Sequence, residues 1–279
     1  MRVRIIFDLE NKGAAVPFHH QNLLSGFLKK LILKNPDSPF QDFMHYTFSG
    51  LKGHTKVSRK GLHFYSRKVT LVFSSLNREF IDHVIESLFE LERVEIGALR
   101  LIPSGVDVER MPEFKSETKF ICISPIVLRP PQFEEMECKA FISPMVDRFS
   151  DLLYEAVMSR MEMYGYEREK LESFYKFQID PDKAYLEKLK QNGKKFARIY
   201  PVYQQDIKYD MRGYTMPFTL FASKEVTEFV YTCGLGSCTH KGFGMVDIVD
   251  YLHNKVIEPY HALSSGENLE NGEAITLDR

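Results

Sequence analysis

Two stretches of this 279-residue chain concentrate the residues able to do chemistry. The first is Gly234-Leu235-Gly236-Ser237-Cys238-Thr239-His240-Lys241-Gly242-Phe243-Gly244, four glycines in eleven residues. Glycine reaches positive φ cheaply and lets other groups approach the backbone closely, so this loop could present N–H donors to a polyanion. The same residues also suit a helix C-cap followed by a tight turn, and the sequence leaves both readings open. Walker A and dinucleotide loops are excluded, because each leaves a strand and opens a helix. Here the order is reversed. Lys224 to Tyr231 shows a helical apolar face of Val226, Phe229 and Val230 behind a capping Ser223, and Met245 to Val249 reads as a strand.

The second stretch runs from Phe43 to Arg78 without a single Asp or Glu. It gathers Lys52, Lys56, Arg59, Lys60, Arg67, Lys68 and Arg78 with His45, His54 and His63, interleaved with Phe48, Phe64 and Tyr65. Such a patch suits a phosphate backbone; the plainer reading is a hairpin face solvated by its lysines. The histidines are scattered and no carboxylate cluster has metal-site spacing, so no metal or other cofactor is expected. Cys233 and Cys238 stand at C-x4-C, not a usual zinc spacing, and with Cys122 and Cys138 are read as reduced and structural.

The elements that must carry these stretches repeat one pattern. Arg2 to Leu9 reads as a strand and Gln21 to Leu33 as a helix, with Leu24, Phe27, Leu28, Leu31 and Ile32 at helical spacing before Asn35-Pro36. Met44 to Leu51 and Gly61 to Ser74 are expected strands, Phe80 to Leu91 a second amphipathic helix, and Val94 to Ile102 the last strand. The order β-α-β-β-α-β is the ferredoxin-like pattern. From Lys119 it recurs with longer insertions: a strand from Phe120 to Leu128 broken by Pro125, a helix from Pro144 to Tyr164, and strands at Phe174 to Ile179, Ala197 to Tyr203, Ile207 to Tyr214 and Phe218 to Phe221. The expected fold is α+β, two tandem ferredoxin-like (RRM-like) domains over residues 1–103 and 118–258. A linker at 104–117 joins them, and a disordered tail follows at 259–279.

Net charge is −1 and 44% of residues are hydrophobic, the composition of a globular protein with a core. The chain opens directly on a strand-like segment and has no long apolar run, so no membrane association and a cytoplasmic location are expected.

The pattern G-h-G, five residues, G-h-G before the last strand resembles the glycine-rich loop of CRISPR-associated RAMP proteins, most of all the sixth-numbered Cas family. Pro17-Phe18-His19-His20-Gln21, Phe48-Ser49-Gly50-Leu51 and Ser124-Pro125-Ile126-Val127 fall where that family has counterparts. The resemblance implies a metal-independent endoribonuclease that cuts CRISPR precursor RNA within each repeat. The RNA's own 2′-hydroxyl attacks the adjacent phosphate, leaving 2′,3′-cyclic phosphate and 5′-hydroxyl ends. Histidine, titrating near 6.5, suits the proton transfers and lysine the phosphorane charge. In the family the catalytic histidine follows the first helix, a window in which only His45 stands. Lys52 is the candidate for charge stabilisation. A tyrosine found late in the first helix of some members is replaced here by Lys29 and Lys30, and Tyr46 is its candidate substitute. Expected RNA contacts are Gly234, Gly236, Ser237, His240, Lys241, Gly242 and Gly244 of the loop, with Lys56, Arg59 and Lys60. The partner implied is CRISPR repeat RNA, precursor and product, with other CRISPR effector subunits as a further expectation. Two alternatives are a non-catalytic RNA-binding RAMP subunit and an unrelated ferredoxin-like pair that binds a small anion.

Overall fold

A computed structural model describes residues 1–129, 140–204, 207–251 and 255–262. Its first half comprises β1 (Arg2–Leu9), β2 (Ala15–Val16), α1 (Gln21–Ile32), β3 (Tyr46–Phe48), β4 (Thr55–Ser58), β5 (Gly61–Phe64), β6 (Lys68–Ser75), α2 (Arg78–Phe89), β7 (Val94–Ile96) and β8 (Leu99–Glu109). The main sheet runs β8-β1-β6-β3, all antiparallel. Alternation along β1 explains the layering. Val3, Ile5 and Phe7 point one way and pack with Leu24, Leu28 and Leu31 of α1 and Phe80, Val84 and Leu88 of α2. Each such side chain contributes about 1.5–3 kcal/mol on burial. The Asn77 side chain accepts the Phe80 N–H at 2.8 Å and fixes where α2 starts.

The expected strand from Gly61 to Ser74 is two strands. Residues 65–67 leave the ladder, so β6 stays in the main sheet while β5 pairs with β2 and β4 as a separate three-stranded ribbon. That ribbon carries Lys56, Arg59, Lys60 and His63 of the basic stretch.

The second half comprises β9 (Glu117–Cys122), β10 (Ile126–Val127), α3 (Asp147–Tyr164), α4 (Arg168–Glu172), β11 (Gln178–Pro181), α5 (Lys183–Gln191), β12 (Ala197–Gln204), β13 (Ile207–Tyr214), β14 (Pro217–Phe221), α6 (Lys224–Cys233) and β15 (Val246–Ile248). Its sheet runs β15-β9-β14-β11, the same order as the first. The fold is therefore two tandem ferredoxin-like domains. The hairpin β12–β13 is an insertion that pairs with β10 in its own sheet. A last strand, β16 (Ile257–Pro259), returns to the first sheet and pairs with β8. β8 itself continues past Pro103 to Glu109, into the stretch expected to be a linker. Of the expected disordered tail, Pro259 lies in a strand and the Tyr260 hydroxyl donates to Asp82; positions 263–279 lie outside the described residues, as does Cys138. Cys122, Cys233 and Cys238 are free thiols.

The face of β1 turned away from α1 and α2 meets the second domain. Arg2, 1% exposed, donates to the Tyr231 carbonyl and to the Val246 carbonyl at 2.9 Å, and pairs with Asp247 at 3.5 Å. Lys255 lies 2.6 Å from both Asp247 and Glu109. A buried ionic network thus ties β1 and β8 to β15.

Candidate functional site

The glycine loop joins α6 to β15 and is seated on the first domain. Gly242 has φ +84°, and a Cβ there would come within 2.5 Å of the Phe48 ring on β3. Gly244 has φ +68°, and its Cβ would lie 2.0 Å from the Leu235 carbonyl oxygen. Only glycine fits either place. The loop N–H groups are largely spent inside the protein: Gly234 donates to Val230, Gly242 to Thr239, Gly244 to Pro125 and Ser237 to Val127. This corrects the expectation that Gly234, Gly242 and Gly244 offer N–H donors to a polyanion. They and Gly236 are buried turn and packing residues, and the loop's partly exposed positions are Ser237, Cys238, His240 and Lys241. Ser237 is itself engaged, its hydroxyl accepting the Arg129 N–H at 3.2 Å. The Lys241 ammonium donates to the Tyr203 carbonyl of β12 at 2.7 Å, tying the loop to the inserted hairpin.

Across this seam lies His45, one residue before β3. Its ring centroid is 5.2 Å from that of Tyr164 on α3 and 5.5 Å from that of Phe43. Its carbonyl accepts from the Ser75 hydroxyl at 2.9 Å and from the Cys233 thiol at 3.5 Å. The residue is 9% exposed and its Nδ1 is buried with no hydrogen-bond partner. Burial, reinforced by the Arg160 charge, lowers its pKa. Arg160, on α3, turns its guanidinium onto the carbonyls of Cys233, Gly234 and Gly236, at 2.8 Å from that of Gly234. His240 sits in a 3-10 turn over Thr239–Lys241, against which both α1 and β3 pack. Burial pushes its pKa down to about 3, and the charges of Lys241, Arg160, His45 and Lys29 act in the same direction. Two histidines from different domains therefore lie within electrostatic range of each other and of Arg160, and the exposed Lys29 of α1 is within range of His240.

A family model described as CRISPR associated protein Cas6, C-terminal, matches residues 109–248, half of the chain. The chain belongs to the Cas6 family. A CRISPR-associated endoribonuclease-like protein Cas6 of Pyrococcus furiosus is 26% identical over 261 residues, covering 90% of this chain and 99% of that relative. The CRISPR-associated endoribonuclease Cas6 1 of Methanocaldococcus jannaschii is 27% identical over 263 residues, covering 91% and 95%. Among solved structures, a Cas6-related protein from Pyrococcus furiosus matches with a TM-score of 0.71 at 25% identity over 90% of this chain and 98% of that one. A RAMP protein described as binding different RNA substrates matches with a TM-score of 0.72 at 22% identity, over 89% and 99%.

Within this Cas6 chain the residues expected to act beside His45 separate. Tyr46 is a core residue: it is 5% exposed, packs against Phe73 and Phe80, and burial raises its hydroxyl pKa. That corrects its assignment as a catalytic substitute, because strand alternation puts its side chain on the helix-covered face with Phe48. Lys52 is likewise not in the His45 group. Tyr46 is opposite Ser75 of β6 and Lys52 is opposite Thr70, five residues along one strand, or about 17 Å. Although Lys52 is exposed overall, burial around its ammonium lowers its pKa; Lys255 adds to this, while Asp247 and Glu109 oppose it. It faces the ionic network between the domains.

His20 is structural, with Nδ1 3.1 Å from the Pro17 carbonyl and Nε2 accepting the Leu51 N–H at 3.0 Å. Lys56, Arg59 and Lys60 are exposed on the β4–β5 ribbon, with the Lys56 ammonium 5.1 Å above the Tyr65 ring. Arg160 and Tyr164 carried no sequence signal, since one arginine and one tyrosine on an amphipathic helix read as surface. No helix among the described residues is long and apolar enough to cross a membrane.

Proposed function

We propose that this chain is an endoribonuclease that cuts CRISPR repeat RNA at the pocket between its two domains. The observation that carries this reading is His45 on the domain seam, its ring against Tyr164 of the second domain and its pKa lowered, within electrostatic range of His240. The names of the two relatives as CRISPR-associated endoribonucleases or endoribonuclease-like proteins support it. A histidine with a lowered pKa is neutral at pH 7 and able to take a proton. His45 removes the proton of the 2′-hydroxyl, the 2′-oxygen bonds to phosphorus, and the bond from phosphorus to the 5′-oxygen breaks. The leaving oxygen takes a proton from water to become the 5′-hydroxyl, the proton held by His45 passes to the hydroxide so formed, and a 2′,3′-cyclic phosphate remains. No metal takes part in this scheme. Charge on the phosphorane is met by Lys29, exposed on α1 and within electrostatic range of His240, in place of the distant Lys52. Lys56, Arg59, Lys60, His240 and Lys241 hold the RNA.

A second reading, an RNA-binding subunit that does not cut, is favoured by the burial of His45 at 9% exposure. Incubating end-labelled repeat RNA with the protein in EDTA separates the two. Fragments ending in 2′,3′-cyclic phosphate and 5′-hydroxyl support the cleavage scheme; tight binding with intact RNA supports the subunit.

A further inference from the structure

The segment Lys183 to Phe196 holds five lysines and one glutamate. It comprises α5 and the turn after it, an insertion between two strands of the second ferredoxin-like sheet. The turn pivots on Gly193 at φ +63° and presents Lys194 and Lys195, both exposed, followed by the half-buried Phe196. This ridge separates two cavities. One, of about 720 Å³, has Phe141 and Phe196 in its lining with Lys183, Lys190 and Arg212 around them. The other, of about 670 Å³, is lined by Tyr185, Arg198, Tyr200 and Thr215, with Lys194 and Lys195 common to both.

The open aromatic surface is that of Phe141 and Tyr185, 54% and 38% exposed, while Phe196 is half-buried and Tyr200, at 7%, backs the second cavity from within. The Phe141 ring is 6.3 Å from that of Phe196, and the Arg212 guanidinium carbon lies 5.6 Å from its centroid. Tyr200 meets the ring of His19 edge-on at 4.6 Å, which connects the second cavity to the entrance of α1 in the first domain. β12 also carries Tyr203, whose carbonyl holds Lys241 beside the His45 pocket. Cations spaced around exposed aromatic faces are what unpaired nucleotides require: bases stack on the rings while phosphates meet the lysines. A helical duplex has no such need, because its bases are already stacked. Cavities of this size lie within the range of about 300–1,000 Å³ typical of small-ligand sites.

We propose that the Lys194–Phe196 ridge and its two cavities form a binding track for unpaired nucleotides of the RNA, reached from the His45 pocket across β12. This rests on the RNA-cutting reading above and adds to it a subsite for single-stranded RNA flanking the cut. The track holds substrate or product; it takes no part in the bond-breaking step.

The test titrates wild type, a Lys194→Glu/Lys195→Glu variant and Phe141→Ala with labelled repeat RNA, with and without a short unpaired extension at either end, over a range of salt. All three side chains are exposed, so the fold survives, as unfolding curves will verify. Charge reversal is expected to weaken binding of extended RNA at least about tenfold and to reduce the slope of log affinity against log salt by about 1.4. Phe141→Ala is expected to cost about fivefold to a hundredfold on extended RNA, with release of the quenching of a 2-aminopurine placed in the extension. Affinity for the unextended repeat and cleavage at saturating RNA stay at wild-type values. Equal affinity of all three proteins for extended RNA overturns the inference and leaves the cutting reading intact. Failure of wild type to bind even the unextended repeat removes both.

Discussion

Gly242 of the second domain lies so close to Phe48 of the first that a single added methyl group would come within 2.5 Å of the ring. The loop is thus packed directly against the first domain. Gly242→Ala adds the cost of a left-handed backbone to an overlap with a fully buried ring, and is expected to destabilise the protein by about 2–4 kcal/mol. Gly105→Ala is the control, with nothing within 4 Å of the new atom. Denaturant unfolding of both checks the difference.

The Arg2 network makes a second prediction about the same joint. Arg2→Ala leaves the Tyr231 and Val246 carbonyls buried without their donor and Asp247 held by Lys255 alone, at a cost of about 3–5 kcal/mol. Arg2→Met together with Asp247→Leu, which removes both charges, is expected to recover part of that loss. Thermal unfolding of the single and double variants measures it.

The proposed scheme moves the charge-stabilising role from Lys52, its candidate in the sequence, to Lys29. Lys29→Ala is expected to lower the single-turnover cleavage rate about 100- to 1,000-fold, as loss of one charge-stabilising group does. Lys52→Ala leaves the rate at saturating RNA near wild type, since its neighbours are Lys255, Asp247 and Glu109. Single-turnover cleavage of repeat RNA by both variants decides between them.

The histidines give a pH dependence with a definite sign. The pKa of His240 is about 3 when folded, against an ordinary 6.5. Between those values the unfolded chain binds a proton that the folded one refuses. Its contribution therefore makes stability fall as pH drops from 6.5 towards 3, by up to about 1.4 kcal/mol per pH unit. His240→Gln is expected to flatten that fall in pH-dependent unfolding curves. For His45, a lowered pKa keeps the ring neutral into mild acid, so kcat/KM for cleavage loses activity only below pH 6.5.

Both ferredoxin-like units were legible in the sequence because Val3, Ile5 and Phe7 alternate and Leu24, Leu28 and Leu31 recur at helical spacing. His45 was proposed through the family resemblance, by its position after α1, and the glycine loop was picked out by composition. The loop's purpose was not legible: four glycines look alike whether they face a phosphate or a phenylalanine, and only Phe48 and Pro125, distant in sequence, decide. α5 escaped because Leu186 is its one buried residue and its lysines hide the pattern. β16 escaped because Ile257-Glu258-Pro259 has no period of its own and exists through pairing with β8. Arg160 escaped because its partners are carbonyls of the glycine loop, more than seventy residues away.

The most direct test of the central claim is the single-turnover cleavage rate of repeat RNA by wild type and His45→Ala at matched occupancy. A substrate with 2′-deoxyribose at the cut serves as control. The account predicts that the variant binds RNA as wild type does and cuts at least about a hundredfold more slowly, and that the deoxy substrate resists both proteins. Cleavage by His45→Ala at the wild-type rate, or cutting of the deoxy substrate, would contradict it.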